Sequence, residues 1–431
     1  MNEYSADVLT VPTITQVGMT YEVDWTEGVK VKFAGLYLHS DKNIDAKVTI
    51  YDYNEISGAK LLGPLRTSIT KTWRNVISEL NDISERNDWK QRLTQASTMV
   101  QDAFEAGEPA VPLGLIDPPE PTKELISGIL WQGTPCIVFG PGGIGKSLFG
   151  LNLISALHTG QPVAGLGVEQ TNCMWLDWET NQRLAYWRNK EILDGRGIDS
   201  GNWPDPDNPD LERSGQVYYK RMFGALEDSV ETLSVEIANY NVGALLVDSA
   251  MPASGGQAED GKATERFFSA LNSLKPDNDP LSVVIVAHVT KEKAGDTSGT
   301  AMPFGSAFWT NMARDTYELK ASKRKNSNHS DLGLHHRKTN MGPLRDALGF
   351  RMTWGQGCTI EAIDIRKNAE LAADLPYGDR AQIIIEENGA LSTEELSDMM
   401  DLNKRTLTST LSRDERFENK NGKWEPSNLN W

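Results

Sequence analysis

Gly140-Pro141-Gly142-Gly143-Ile144-Gly145-Lys146-Ser147 has the spacing G-x-x-x-x-G-K-[ST]. Glycines at these places let successive backbone N–H groups turn inward as a nest for an anion, and a helix starting there adds the positive end of its dipole. In such a loop Lys146 reaches the β- and γ-phosphates of a nucleotide, and the Ser147 hydroxyl ligates Mg²⁺. The flanks fit that chemistry. Cys136-Ile137-Val138-Phe139 reads as a buried strand before the loop, and Leu148 to Ile154 as a helical run after it. ATP and Mg²⁺ are therefore the expected ligands.

A phosphate loop needs a second carboxylate to hold Mg²⁺, usually at the end of a buried strand. Val242 to Val247 is such a strand, with Asp248 at its C-terminal end; an Asp there also suits the cap of a following helix. In many ATPases a catalytic Glu comes next, but here it is Ser249, so the base lies elsewhere or catalysis is absent. Trp175-Leu176-Asp177-Trp178-Glu179-Thr180 closes an intervening strand at the same sheet edge. Glu179, nearer the strand end and longer, is the favoured group to orient and deprotonate the attacking water. Asp177 competes, since alternate residues of a strand share a face. A third strand ends at His288, where a polar side chain can touch the γ-phosphate, or can simply be structural.

Such residues need an element order that brings strand ends together. Cys136 to Phe139, Cys173 to Leu176, Ala244 to Val247 and Val283 to Val286 are apolar on both faces, as in a parallel sheet covered by helices. The expected class is α/β: a mainly parallel core over 122–370, preceded by a small β-rich and helical domain at 1–105 and followed by a helical unit at 376–431. Residues 106–121, with Gly107, Pro109, Pro112, Gly114, Pro118, Pro119 and Pro121, form a linker. In the first domain, Gly28 to Phe33 and Lys47 to Tyr51 alternate as strands, and Trp73 to Phe104 repeats at helical spacing, most simply as a core-facing stripe. Gly195 to Gly215 reads as an exposed insertion.

Composition bounds the rest. The 431 residues leave room for two to four domains. With 43 Lys and Arg against 60 Asp and Glu, the net charge is −17, which excludes diffuse capture of nucleic acid or anionic membrane by the whole molecule. Any DNA contact must be local. Cys136, Cys173 and Cys358 are isolated, which suggests reduced thiols in a cytoplasmic protein; no apolar run is long enough for a membrane span, and the acidic start gives no support to a secretory signal.

The order of these parts resembles the RecA-like ATPases, and within them the RepA-type hexameric replicative helicases and their phage relatives. Phosphate loop, Glu179, Asp248, His288 and then Gly305 to Arg314 follow that family's sequence order over roughly 122–367. The resemblance implies a RecA-like P-loop core that hydrolyses ATP between neighbouring subunits of a hexamer or filament. It implies single-stranded DNA on the loop 291–303, with Lys291 and Lys293 facing phosphates and Ala294, Gly295, Ser298, Gly299 and Ala301 giving mobility. A second central loop would be Ser249 to Lys262, whose Glu259-Asp260 argues against DNA contact. It also implies a cation supplied by the neighbour, either Arg314 or Lys338 of Arg337-Lys338; Arg314 could instead pair with Asp315 or Glu318 on its own helix. His335 and His336 are strand residues, without a third metal ligand at sensible spacing. Residues 376–431 resemble a winged helix–turn–helix domain: Ser392 or Thr393 caps a helix, Lys404 to Ser412 forms another, and Asn421-Gly422 turns a hairpin. Lys404, Arg405, Thr408 and Arg413 would meet DNA, while the unit's acidity suits protein docking equally. The first domain would seat a primase or loader, or stabilise the oligomer.

Overall fold

Buried runs and half-buried alternation separate cleanly in the computed structural model, which describes residues 11–17, 20–38, 42–53, 59–84, 86–107, 109–115, 121–198, 217–256, 260–275, 279–289, 307–322, 327–373 and 375–427. The chain begins with β1 (Thr13–Val17), β2 (Thr20–Trp25), β3 (Val29–Leu38), β4 (Ile44–Asp52), β5 (Ala59–Ser68), α1 (Arg74–Ile83) and α2 (Trp89–Ala106). Next come β6 (Glu124–Ile126), β7 (Leu130–Trp131), β8 (Pro135–Gly140), α3 (Lys146–Thr159), β9 (Asn172–Asp177), α4 (Gln182–Gly195) and β10 (Tyr218–Arg221). They are followed by α5 (Val230–Asn239), β11 (Val242–Asp248), α6 (Ala250–Ala253), α7 (Gly261–Asn272), β12 (Ser282–His288) and α8 (Phe308–Met312). The remainder is β13 (Asp315–Ala321), β14 (His329–Thr339), β15 (Leu348–Gly355), β16 (Gly357–Ile363), α9 (Ala369–Ala372), α10 (Tyr377–Asn388), β17 (Leu391–Ser392), α11 (Thr393–Met400), α12 (Lys404–Leu411), β18 (Phe417–Lys420) and β19 (Lys423–Pro426).

By compactness the chain forms two units: 1–123 with 223–243 and 251–281, and 124–222 with 244–250 and 282–431. In the first, β1 to β5 make an antiparallel sheet in sequence order. Its inner face, including Val23, Trp25, Val31, Phe33 and Ile50, packs on Trp73, Leu80, Trp89, Leu93 and Val100 of the helical segment. The alternate residues of β3 and β4 include the charged Lys30, Lys32, Asp45 and Lys47. Lys32 pairs with Glu231 at 2.9 Å, Lys47 donates to the Asp228 carbonyl at 2.9 Å, and Arg66 pairs with Glu227 at 3.1 Å. Arg266 lies over the Tyr37 ring at 5.5 Å. By compactness 223–243 and 251–281 thus group with the first sheet, to which these charged contacts tie them.

The second unit is built on one sheet in the order β10-β9-β11-β12-β8-β13-β14-β15-β16. β10 with β9, β11 with β12, β12 with β8 and β8 with β13 pair in parallel, and β13 to β16 continue antiparallel. This is an α/β core on a mainly parallel sheet, with flanking elements. α3 is buried almost throughout, as expected of a helix apolar on all sides. The C-terminal elements close their own small core: Ala381, Ile385, Leu396, Met400, Leu407, Leu411, Phe417 and Trp424. Ser392 caps α11 in a reciprocal box with Glu395, and Asn421 and Gly422, both at positive φ, turn β18 into β19. All three cysteines are free and buried. Among the described residues no helix is long and apolar enough to cross a membrane, and no group of three or more His, Cys, Asp or Glu could hold a metal.

Candidate active site

The phosphate loop joins the end of β8 to the start of α3, so Gly140 to Ser147 sit at the C-terminal edge of the sheet. Two glycines are dictated by geometry. Gly145 caps α3 at φ 93°, a left-handed conformation costly for other residues. Gly140 runs so close to β13 that an added Cβ would strike the Leu319 carbonyl. Lys146 is buried, and its Nζ donates to the carbonyls of Gly140 at 2.9 Å and Pro141 at 2.7 Å. His288 Nδ1 lies 3.3 Å from the same nitrogen. Burial brings the Lys146 ammonium down to about 8, against the pull of Glu179 and Asp248, so it remains largely charged at neutral pH.

Asp248 ends β11, buried, and its Oδ1 accepts the Ser147 hydroxyl at 3.1 Å. Its Oδ2 is buried with no hydrogen-bond partner among the described residues. Burial, reinforced by the Glu179 carboxylate, pushes Asp248 up to about 7. A hard-oxygen pair with one buried carboxylate oxygen left unsatisfied fits Mg²⁺, which Ser147 and Asp248 would hold. When bound, the ion would neutralise charge on the phosphate oxygens.

The two carboxylates of the β9 end play different parts. Asp177 is fully buried, and Oδ1 accepts the backbone N–H groups of Glu179 at 2.8 Å and Thr180 at 3.0 Å. Its Oδ2 accepts the hydroxyls of Thr180 and Tyr219, the latter at 3.0 Å. Asp177 therefore shapes the turn that presents Glu179. Glu179 is partly exposed, and Oε1 accepts the Ser249 hydroxyl at 2.7 Å while His288 Nε2 approaches to 3.7 Å. The His288 approach, then the Ser249 bond, overcome partial burial and hold Glu179 at about 2. A carboxylate that acidic keeps its charge and is a weak proton acceptor. It suits orienting a water more than removing its proton, and the loose transition state of phosphoryl transfer asks mainly for orientation.

Lys146, Ser147, Glu179, Asp248 and His288 thus meet at one sheet edge. Arg314 and Lys338 do not. Arg314 is exposed just before β13, and its backbone N–H donates to the Pro135 carbonyl at 3.0 Å, at the start of β8. Lys338 lies near the end of β14 opposite Thr316, and its Nζ donates to the Ala313 carbonyl. Burial and then the nearby Arg314 lower Lys338 from its ordinary value. The pairing considered for Arg314 on a helix surface is corrected: 315–321 is a strand, Asp315 is bound to His336 at 3.0 Å, and Glu318 to Arg337 at 2.6 Å. The segment Ser249 to Lys262 is also not a single loop. It contains α6, and Asp260 caps α7 by accepting the Lys262 N–H at 2.9 Å, so its charge serves a helix start. The expected DNA loop 291–303, Gly305-Ser306 and most of the Gly195 to Gly215 insertion lie outside the described residues.

Sequence reasoning missed three contributors: Tyr219, which donates to Asp177 from β10; Ser249, noticed only as the absence of a Glu; and Arg188 on α4, whose charge is felt at Asp248. Ser249 had a signal in its position beside Asp248; the other two had none.

Residues 103–294 match a family model described as an AAA domain. No curated protein matches the chain. Among solved structures, a KaiC-like protein of the hyperthermophilic archaeon Pyrococcus horikoshii OT3 is similar at 14% identity and a TM-score of 0.39, over 57% of this chain and 100% of that one. Over residues 103–294 the chain is thus similar to AAA-type P-loop ATPase domains, and its phosphate loop and the carboxylates gathered at one sheet edge form a nucleotide-hydrolysing type of site.

Proposed function

We propose that this protein is an ATP-hydrolysing, DNA-dependent motor, a ring-forming replicative or recombination helicase of the RepA/RecA-like type that cleaves Mg-ATP between neighbouring subunits. One observation carries the proposal: Arg314 and Lys338 form a cationic pair at the sheet edge opposite their own phosphate loop. At about 3.3 Å per residue, the length of β8 alone sets them roughly 16–20 Å from it. Such a pair serves a neighbour's phosphates in a hexamer or filament, where a cation supplied in trans is worth orders of magnitude in rate. In this scheme Lys146 binds the phosphates, Glu179 orients the water and His288 responds to the γ-phosphate. Single-stranded DNA runs along 291–303, the first domain seats a primase or loader, and the protein works in the cytoplasm.

A second possibility is a nucleotide-switched regulator or loader with slow turnover. It is favoured by the C-terminal helices and hairpin read as a winged helix–turn–helix, in which α12 carries Lys404 and Arg405 and no acidic residue. ATP turnover of the full chain with and without single-stranded DNA separates the two. A motor is stimulated severalfold; a flat rate removes the motor and leaves the switch.

A further inference from the structure

We infer that Ser249 is a positioning residue for hydrolysis: its buried hydroxyl selects the oxygen of Glu179 that faces the attacking water. The inference rests on Glu179 being the water-orienting carboxylate. Where a Glu directly follows the metal-binding Asp, its own strand anchors it. Here the carboxylate comes from β9, the neighbouring strand, and its side chain is 42% exposed with three rotatable bonds to hold. The Trp178 N–H donates to the Asp248 carbonyl at 2.8 Å, which brings the ends of β9 and β11 abreast. Ser249 then meets Glu179 across a sequence gap of 70 residues.

At 1% exposure the Ser249 hydroxyl has little access to water, and it donates to Oε1 at 2.7 Å. His288 Nε2 approaches that same oxygen, whereas Oε2 takes no hydrogen bond among the described residues. One oxygen is tethered and the other is left for water. The residue type follows from the surroundings. Alanine has no donor, an acidic side chain would repel Glu179 and Asp248, and a hydroxyl donates to a carboxylate without adding charge.

The test uses the full-length chain with Ser249→Ala, Ser249→Thr, Glu179→Gln and the Ser249→Ala/Glu179→Gln pair, measuring kcat and KM for ATP and the Kd of ATP. Ser249→Ala is expected to lower kcat about tenfold or more while KM and Kd stay within about twofold. Ser249→Thr should recover most of that loss, and the double variant should be no slower than Glu179→Gln alone. Normal kcat in Ser249→Ala overturns the inference, as does an equal loss of ATP binding or a failure of threonine to rescue. Full turnover by Glu179→Gln overturns the role of Glu179 itself. An inactive Glu179→Gln beside a normal Ser249→Ala overturns only the role of Ser249.

Discussion

Asp177 and Asp248 end neighbouring strands, yet they are used in opposite ways. Asp177 spends both oxygens on the turn that carries Glu179, whereas Asp248 leaves Oδ2 buried without a partner among the described residues. An acid whose folded pKa lies above its unfolded value lowers stability, by an amount that is absent below about pH 4 and grows as the pH rises toward the folded pKa. Asp248, pushed up to about 7, has that sign. Asp248→Asn is therefore expected to raise the apparent melting temperature by about 3 °C at pH 8, and by much less at pH 4, while abolishing hydrolysis. Calorimetry at the two pH values, with a turnover assay, checks both halves. A melting temperature lowered at pH 8 would show that the buried carboxylate stabilises the fold.

At the scale of elements, the C-terminal helices depend on local caps because their shared core is small. The Ser392 hydroxyl accepts the Glu395 N–H at 3.2 Å, and the Glu395 carboxylate accepts the Ser392 N–H at 2.8 Å. The bonds from Ser392 hold Glu395 below the usual carboxylate range, and Arg416 does the same for Asp414. Stability from depressed acids is present at neutral pH and is lost as the pH falls through the carboxylate range. Ser392→Ala is expected to destabilise α11 by about 1 kcal/mol. Hydrogen exchange on the full chain should show faster exchange in α11 at pH 7 and a smaller difference near pH 4. Unchanged α11 protection at pH 7 would contradict the cap's role.

At the scale of the molecule, the role proposed for the cationic pair is tested between copies. If Arg314 and Lys338 act on a neighbour, an Arg314→Ala/Lys338→Ala chain retains an intact phosphate loop, and a Lys146→Ala chain retains an intact pair. Each alone should turn over ATP at least about a hundredfold more slowly than the parent. An equimolar mixture should recover a measurable share, because mixed contacts join a good loop to a good pair. A mixture no faster than the mean of its parts would place the two cations outside catalysis. The net charge of −17 belongs to this scale too, since it confines any DNA contact to local loops.

The sequence alone determined the phosphate loop, the strand before it, the helix after it and the place of Asp248 at a strand end. Each depends on contiguous residues: glycines that set backbone conformation, and apolar runs that set burial. The hairpin at Asn421-Gly422 was legible for the same reason, as was a cap at Ser392 or Thr393, of which the structure uses Ser392. Only the tertiary structure decided that Asp177 serves the turn, that Ser249 reaches Glu179, and that Arg314 and Lys338 stand at the far edge. It also decided that 223–243 and 251–281 belong to the same compact unit as the first sheet. Those outcomes depend on strand order, register and the pairing of charges far apart in the chain, and local periodicity carries no information about which strand lies beside which.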